Sequence, residues 1–253
     1  MEQLSCVIIA NNNLNELEKC IKSVNAVSDE IIVVRNIQTN VPLKFEYKVT
    51  TVTAESNSEM DKYLLGISLV TNELVLLLNA SEHLSMDCQL SLIDVKLANN
   101  FQAYSIPVCY TLENKIINLS AWKEPYEIRV FNKGKGKLRF HRTNLTWKPY
   151  NGLAKNKMLM GEITSTRFNE FSECIRFAKH YSELKAQYYL SKNKRTNCAR
   201  IYITPFIKFI VEFLLKGAFA SGIQGYKLSK IVDMSESIFQ KRVLELQRGK
   251  TKL

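Results

Sequence analysis

The sequence predicts an α/β fold, a mostly parallel sheet flanked by helices, followed by a helical C-terminal extension. Three observations predict it. Short apolar, β-branched runs alternate with helical patterns over the first eighty residues, and such alternation implies parallel strands joined by right-handed crossovers. The run Leu74–Leu78 is apolar without a break and passes straight into Asn79-Ala80-Ser81-Glu82. A strand buried on both faces reads this way where it ends at a site. Beyond Phe168 strand patterns give way to a 3.6-residue period, the mark of amphipathic helices.

Leu4–Ala10 is a strand-type run, and Asn11-Asn12-Asn13 after it is a turn and helix N-cap cluster. Leu14, Leu17, Cys20, Ile21 and Val24 then form one face of a helix. Glu30–Val34 is a second buried strand, ending at Arg35-Asn36, and Tyr47–Thr53 alternates as a third, more exposed one. Ser58–Val70 is helical through Met60, Tyr63, Leu64, Ile67 and Leu69, and Leu74 opens the fourth strand. Ala103–Leu112 and Lys115–Leu119 read as strands about a turn at Glu113-Asn114. The run Lys133-Gly134-Lys135-Gly136-Lys137 has the glycines of a phosphate cradle, but no Gly-Lys-Ser/Thr follows. A solvated basic hairpin turn is the expectation there.

In the helical part, Phe171, Cys174, Ile175, Ala178, Tyr181, Leu184 and Tyr188 make a stripe expected to pack in a core. Lys192-Asn193-Lys194-Arg195 is a polar link. In the run Pro205–Phe219, Lys208, Glu212 and Lys216 recur every four residues, which excludes a transmembrane span. They share one polar face, opposite Phe206, Ile207, Phe209, Ile210, Phe213 and Leu214. Two readings stand: a basic amphipathic helix lying on a membrane interface, or a helix packed on the α/β core with Phe206, Phe213 and Phe219 buried.

A chain of 253 residues can bury a full core, and the change of pattern divides it into an α/β domain at 1–165 and a basic helical extension at 166–253. The net charge of +11 is uneven: residues 1–82 hold 6 Lys/Arg and 11 Asp/Glu, whereas residues 83–253 hold 29 and 13. Such a basic surface suits nucleic acid or an anionic membrane, and no RNP, zinc-finger or helix-turn-helix signature favours nucleic acid. The six cysteines are scattered without a C-x-x-C pair, as free thiols in a reducing compartment are. Met1–Leu4 lacks the basic and apolar regions of a secretory signal. A cytoplasmic location, peripheral to an anionic membrane, is expected.

Three blocks carry a family resemblance. LSCVIIANNN, DEIIVVRNIQTN and TNELVLLLNASE resemble the start of family 2 glycosyltransferases of the GT-A fold, most closely the bacterial branch that adds sugars to lipopolysaccharide core. Members of that branch read like LSVVIITKNE, DEIVVVDSGSTD and TGDWVLSLDADE at similar spacing. Arg129-Val130-Phe131 resembles the family's R-L-F segment, AKHYSELKAQYYL its K-x-x-Y-S-x-L-A-A helix, and the stretch from Pro205 its P-x-x-x-F and G-x-x-G pattern. The resemblance covers nearly the whole chain. It implies sugar transfer from a UDP-type nucleotide-sugar to a glycolipid acceptor beside the anionic inner membrane, with Asn12, Arg35, Asn79, Ser81, Glu82 and Arg129 at the substrate site.

Several family positions carry other residues. The aspartate that contacts the nucleobase falls on Arg35, the one closing that block on Asn40, and the two acids of the D-x-D motif on Asn79 and Ser81. The Thr-Lys-Asn-Glu of the first block becomes Ala10-Asn11-Asn12-Asn13, keeping only the Asn at Asn12, and the basic residue before the fourth strand falls on Tyr63, beside Lys62. The V-H-E motif, whose acid is a general-base candidate, falls on Leu145-Thr146-Trp147, and a later histidine near Thr164. His141 and Arg142 upstream are displaced substitutes to consider. A Mg²⁺ or Mn²⁺ ion would have Glu82 and the diphosphate as its charged ligands, because Asn and Ser offer only neutral oxygens. Arg35 either pairs with a phosphate through its fork or is solvated at a strand end. Glu82 either faces the ligand or caps the helix continuing through Leu84 and Leu90. Two functions follow: a divergent glycosyltransferase, or a non-catalytic relative kept as a binding or scaffolding partner at the inner membrane.

Overall fold

A computed structural model describes residues 1–10, 13–36, 47–56, 58–98, 101–113, 115–117, 123–141, 144–152 and 156–250. The chain forms two compact units, one of Met1–Thr111, Glu124–Phe140 and Leu145–Arg167, the other of Leu112–Lys123, His141–Asn144 and Phe168–Leu253.

The first unit is a mixed α/β layer built on β1 (Leu4–Ile9), every residue of which is buried. The strands β2 (Glu30–Asn36) and β4 (Leu74–Asn79) flank it in parallel, and β3 (Thr50–Ala54) lies outside β2. A parallel strand buried on both faces is apolar along its length, which is why β4 is apolar from Leu74 to Leu78 and β1 admits only Ser5 as a polar residue. The helix α1 (Leu14–Asn25) buries Leu17, Cys20, Ile21 and Val24, and the Asn13 side chain accepts the Glu16 N–H at 3.3 Å to cap its start. Ser58 caps α2 (Glu59–Leu69) in the same way through the Asp61 N–H.

The buried face of α2 differs from the expected stripe. Lys62, Tyr63 and Gly66 turn inward, whereas Leu64 and Leu69 are each 44% exposed. Gly66 sets this orientation. A Cβ there would stand 2.3 Å from Val7 Cγ1 and 3.1 Å from Val34 Cγ2, so the helix backbone lies directly on β1 and β2. Tyr63 joins the same cluster as Val7, Val34, Val75 and Leu77, so the position matched to a basic residue is a core position here.

Beyond β4 the sheet continues through β8 (Lys123–Asn132), β6 (Ala103–Leu112), β12 (Ile163–Phe168) and β5 (Glu82–Leu84), with β7 (Lys115–Ile116) and β11 (Asn156–Met158) also paired to β6. The remainder of the expected strand to Leu119 reaches outside the described residues. The hairpin of β9 (Gly136–His141) and β10 (Asn144–Pro149) forms a second, two-stranded sheet. Trp147 of that hairpin is buried with Leu138, against Gly136, where a Cβ would meet the indole at 2.2 Å. The Lys133–Lys137 run is a basic turn beside the start of β4. Asn132 Oδ1 accepts the Gly134 and Lys135 N–H groups at 2.9 and 3.1 Å, and the Lys133 ammonium donates to the Val70 carbonyl at 2.6 Å. All six cysteines are free thiols, five of them buried, and burial pushes the Cys88 thiol up to about 12.

The second unit is helical. Both α4 (Phe171–Ser191) and α5 (Cys198–Ile210) pack on α6 (Gly222–Lys250), and α5 runs on through a π-helical turn at Val211–Leu215 and a 3-10 turn at Ala218–Ser221. The seam of α4 consists of Cys174, Ala178, Ser182, Ala186 and Leu190, whereas Leu184 of the expected stripe is exposed. Small residues let the two helices approach closely: the Ser182 hydroxyl lies 2.8 Å from the Ser235 carbonyl and 2.6 Å from that of Ala178.

The α5 segment is inverted relative to expectation. Glu236 of α6 is buried and accepts from Lys208 at 2.8 Å, Lys185 at 3.1 Å and Gln240 at 2.8 Å. Glu212 is buried as well and is paired with Lys216 at 3.1 Å. The charged face thus points into the helix packing, and Phe206 and Phe219, expected to be buried, are 62% and 57% exposed. Phe213 is partly buried and stacks on Phe209. A buried carboxylate must be paired, and once α6 supplies Glu236, Lys208 has to face it.

Burial alone would raise the Glu236 carboxyl, but the hydrogen bond from Lys208, the charges of Lys185 and Lys208 and the Gln240 amide outweigh it and hold it below the usual carboxylate range. Its stabilisation is therefore complete above the unfolded-state value and is lost as pH falls through the lower, folded-state one. Glu236→Gln is expected to cost about 1–3 kcal/mol at neutral pH. In urea denaturation the difference from wild type should shrink once pH drops below about 4.3, the ordinary glutamate value. A cost that stayed constant with pH would show that the carboxylate charge contributes nothing.

Candidate functional site

The parallel strands β1, β2 and β4 end in register. Ile9 pairs with Val34 on one side and Asn79 on the other, and the ladder continues as the Ala10 N–H donates to the Val34 carbonyl and the Ala80 N–H to that of Ile9. Ala10, Arg35 and Ala80 therefore form the next row at the carboxyl edge of the sheet. From β1 the chain steps outward to β2 and β3, then returns to place β4 on the other side. That reversal is a topological switch point, and α/β sheets bind ligands beyond the carboxyl ends of their strands at such points.

The turn after β4 is held by Glu82. Its Oε2 accepts the Asn79 N–H at 2.8 Å, and its two oxygens take the Arg129 guanidinium bidentately at 3.1 and 2.9 Å. Both side chains are buried, 4% exposed for Glu82 and 7% for Arg129. Glu82 thus belongs to a three-residue strand paired with β12, Ser165 opposite Glu82, and does not cap a helix. Ser85 caps α3 (Met86–Leu97) instead, accepting the Cys88 N–H at 3.3 Å. Of the two roles open to Glu82, helix capping is corrected, and the carboxylate is engaged by Arg129.

Asn79 and Ser81 are half-buried at this edge. The Asn79 carbonyl receives the Cys20 thiol at 3.5 Å, and the Ser81 carbonyl receives the Thr166 N–H at 2.8 Å. The Thr166 hydroxyl lies 3.0 Å from the same carbonyl and also reaches the Glu16 carboxylate, with one proton to serve both. Glu16, in the first turn of α1, further pairs with Lys19 at 3.4 Å. Arg35 sits opposite Thr53 on β3, its Nε 3.4 Å from the Thr53 hydroxyl. Asn12, Asn40 and Arg142 lie outside the described residues, as does the side chain of His141.

His83 completes this edge. It stands directly opposite Thr164, the position on which the family's later histidine falls. Burial pulls its imidazole below the ordinary value, with the Glu16 charge raising it and the Lys19 charge lowering it. A neutral imidazole at pH 7 can accept a proton. Sequence reasoning did not single out His83, Glu16 or Thr166, since they come from three distant segments, joined by the pairing of β5 with β12 and by the hydrogen bond from Thr166 to Glu16.

A divalent ion of the kind the family resemblance implies needs several oxygen ligands, with carboxylates among them. The described residues at this edge do not fit one. Asn79 and Ser81 are uncharged, and an ion at Glu82 would have to displace a buried guanidinium. Among the described residues no group of three His, Cys, Asp or Glu side chains could hold a metal ion.

No family model matches the chain, and no curated protein matches it. Among solved structures, that of residues 1–349 of TarS from S. aureus is similar at a TM-score of 0.43 and 12% identity, covering 98% of this chain and 92% of that one. Among the described residues no helix is long and apolar enough to cross a membrane.

Removing one partner of a buried pair strands the other charge, at a cost of about 3–5 kcal/mol. Arg129→Met is therefore expected to lower stability by that amount, and Glu82→Gln with Arg129→Met together to recover a good part of it. Thermal denaturation of the two single variants and the double variant measures the coupling. Additive losses would show that the ion pair does not hold the turn.

Proposed function

We propose that this chain is a family 2 glycosyltransferase-like protein of lipopolysaccharide core or other envelope glycolipid assembly. The ancestral reaction is sugar transfer from a nucleotide-sugar to a glycolipid acceptor, at the cytoplasmic face of an anionic inner membrane. The observation that carries the reading is the parallel order β3-β2-β1-β4, which lays the three sequence blocks resembling the GT-A fold side by side and brings their ends to one edge. A UDP-type nucleotide lies across the carboxyl ends of β1 and β4 in this reading. Arg35 takes a phosphate with its fork, Asn12, Asn79 and Ser81 offer neutral hydrogen bonds, and Glu82 with Arg129 shapes the turn. His83 is the side chain on which a base role rests if sugar is transferred.

A second reading is favoured by the state of Glu82. Both its oxygens are taken, so no free carboxylate remains in the Asn79–Glu82 turn to hold a metal–diphosphate complex. That favours a non-catalytic relative that binds without transferring.

Calorimetry with UDP separates these ideas. UDP is expected to bind, and Mn²⁺ to change the affinity by less than about twofold. Tightening by tenfold, about 1.4 kcal/mol, would refute the metal-free site, and no UDP binding under any condition would sink the nucleotide reading itself. Asn79→Asp with Ser81→Asp is expected to introduce metal-dependent binding. Release of UDP from a UDP-sugar by the wild-type protein decides between the catalytic and the non-catalytic reading.

A further inference from the structure

We infer that the outward face of α5 and the turns after it is a docking surface for an anionic lipid bilayer. The inference rests on the functional reading above only in taking a membrane glycolipid as the acceptor. Its grounds are the inversion of this segment. On α5, Ile203, Phe206 and Ile207 are spaced as one helical face and are 56%, 62% and 52% exposed. The π-helical turn adds Leu214 and Leu215, and Phe219 and Ile223 follow, all more than half exposed. Soluble helices bury such a stripe and expose their charges. Here Glu212 and Glu236 are the buried groups, held by Lys216 and by Lys185 with Lys208. Turning the apolar stripe inward would take Lys208 away from the buried Glu236, so the exposed stripe is built into the packing of the unit. A large exposed apolar patch rimmed by polar residues marks a membrane or protein contact.

Charge favours the bilayer. Residues 192–253 hold 13 Lys/Arg against 4 Asp/Glu. Two of those four acids are the buried Glu212 and Glu236, and the other two, Asp233 and Glu245, are paired with Lys230 and Arg242. The exposed Arg200, three residues before Ile203 on the same face, extends the basic rim onto the apolar stripe. Aromatic and aliphatic side chains beside basic ones, on a helix too short and charged to span, fit a helix lying in the headgroup region. The basic side chains that attract the bilayer are the surface ones, because Lys208 ends on Glu236. Reversing Lys208, which a solvent-facing polar stripe would tolerate, is expected to unfold the helical unit.

Vesicle flotation of the full chain tests this. Binding to phosphatidylcholine vesicles containing phosphatidylglycerol is expected, with little to pure phosphatidylcholine, and it should weaken with salt as the Debye length falls below about 10 Å. Phe206→Ser with Leu215→Ser is expected to weaken binding by about tenfold or more, and Arg200→Gln to weaken it less, with melting temperatures unchanged because these side chains are exposed. Unchanged binding by the Phe206→Ser, Leu215→Ser variant would overturn the inference. So would equal binding to neutral and anionic vesicles. Absence of vesicle binding together with concentration-dependent self-association that Phe206→Ser abolishes would assign the face to a protein partner instead, and also overturn it. UDP calorimetry on the same variants separates the two claims. Lost vesicle binding with UDP binding intact leaves the nucleotide reading standing, and vesicle binding by a chain that binds no UDP leaves the docking face standing.

Discussion

The Glu82–Arg129 ion pair fixes the carboxyl edge of the sheet. β4 is buried along its length, and its last peptide hydrogen, on Asn79, is taken by Glu82 at 2.8 Å. The same carboxylate is clamped by a guanidinium from β8, the antiparallel neighbour of β4. Two strands and the turn between β4 and β5 are thereby tied at one point. A bidentate guanidinium–carboxylate pair is short, planar and strongly oriented, so Asn79 and Ser81 are displayed from a rigid frame. The cation that satisfies Glu82 belongs to the protein, and this sets the chemistry of the edge. Neutral donors surround a carboxylate already spent.

The helical unit solves a similar problem with similar means. Glu236 is buried among α4, α5 and α6, and one lysine from each of the two packed helices reaches it. Burying a carboxylate costs several kcal/mol, on the order of the whole stability of a small domain, unless such partners offset it. The requirement dictates the rotation of α5 about its own axis. Once Lys208 must meet Glu236, and Glu212 lies one turn further along the same line, Phe206 and Ile207 have no interior left to face. The exposed apolar stripe is thus a consequence of a buried acid on a different helix.

This explains what the sequence reveals and what it conceals. β1, α1, β2, α2 and β4 are legible because each carries the period of its own secondary structure, and their order follows from right-handed crossovers. The buried side of α2 was misread at Leu64 and Leu69, since hydrophobicity does not reveal that Gly66 lets the backbone touch Val7. The seam of α4 is legible at Cys174 and Ala178 but not at Ser182 and Ala186, because close helix packing selects small residues over the larger aromatic ones beside them. For α5, spacing correctly placed Lys208, Glu212 and Lys216 on one face, but no period says which face looks inward. At the site, Asn79, Ser81 and Arg35 were legible as strand ends. Glu16, His83 and Thr166 were not, because the pairing of β5 with β12 and the hydrogen bond from Thr166 to Glu16 join segments far apart in sequence and leave no local signal.

Buried acids also account for the surface electrostatics of the tail. An acid sequestered with a lysine removes a negative group from the surface, and the surface sign is then set by what remains. In residues 192–253, Glu212 and Glu236 are withdrawn in this way, while the exposed arginines and lysines keep their place. Two of the four acids the segment has are spent on its own folding. A surface both apolar and basic is poorly matched to water and well matched to the headgroup region of an anionic bilayer, where apolar burial and charge attraction add. The same economy appears at Glu82, whose charge is spent on Arg129 rather than on a metal. In both units a buried carboxylate, Glu82 in one and Glu236 in the other, is engaged by cations of the protein itself.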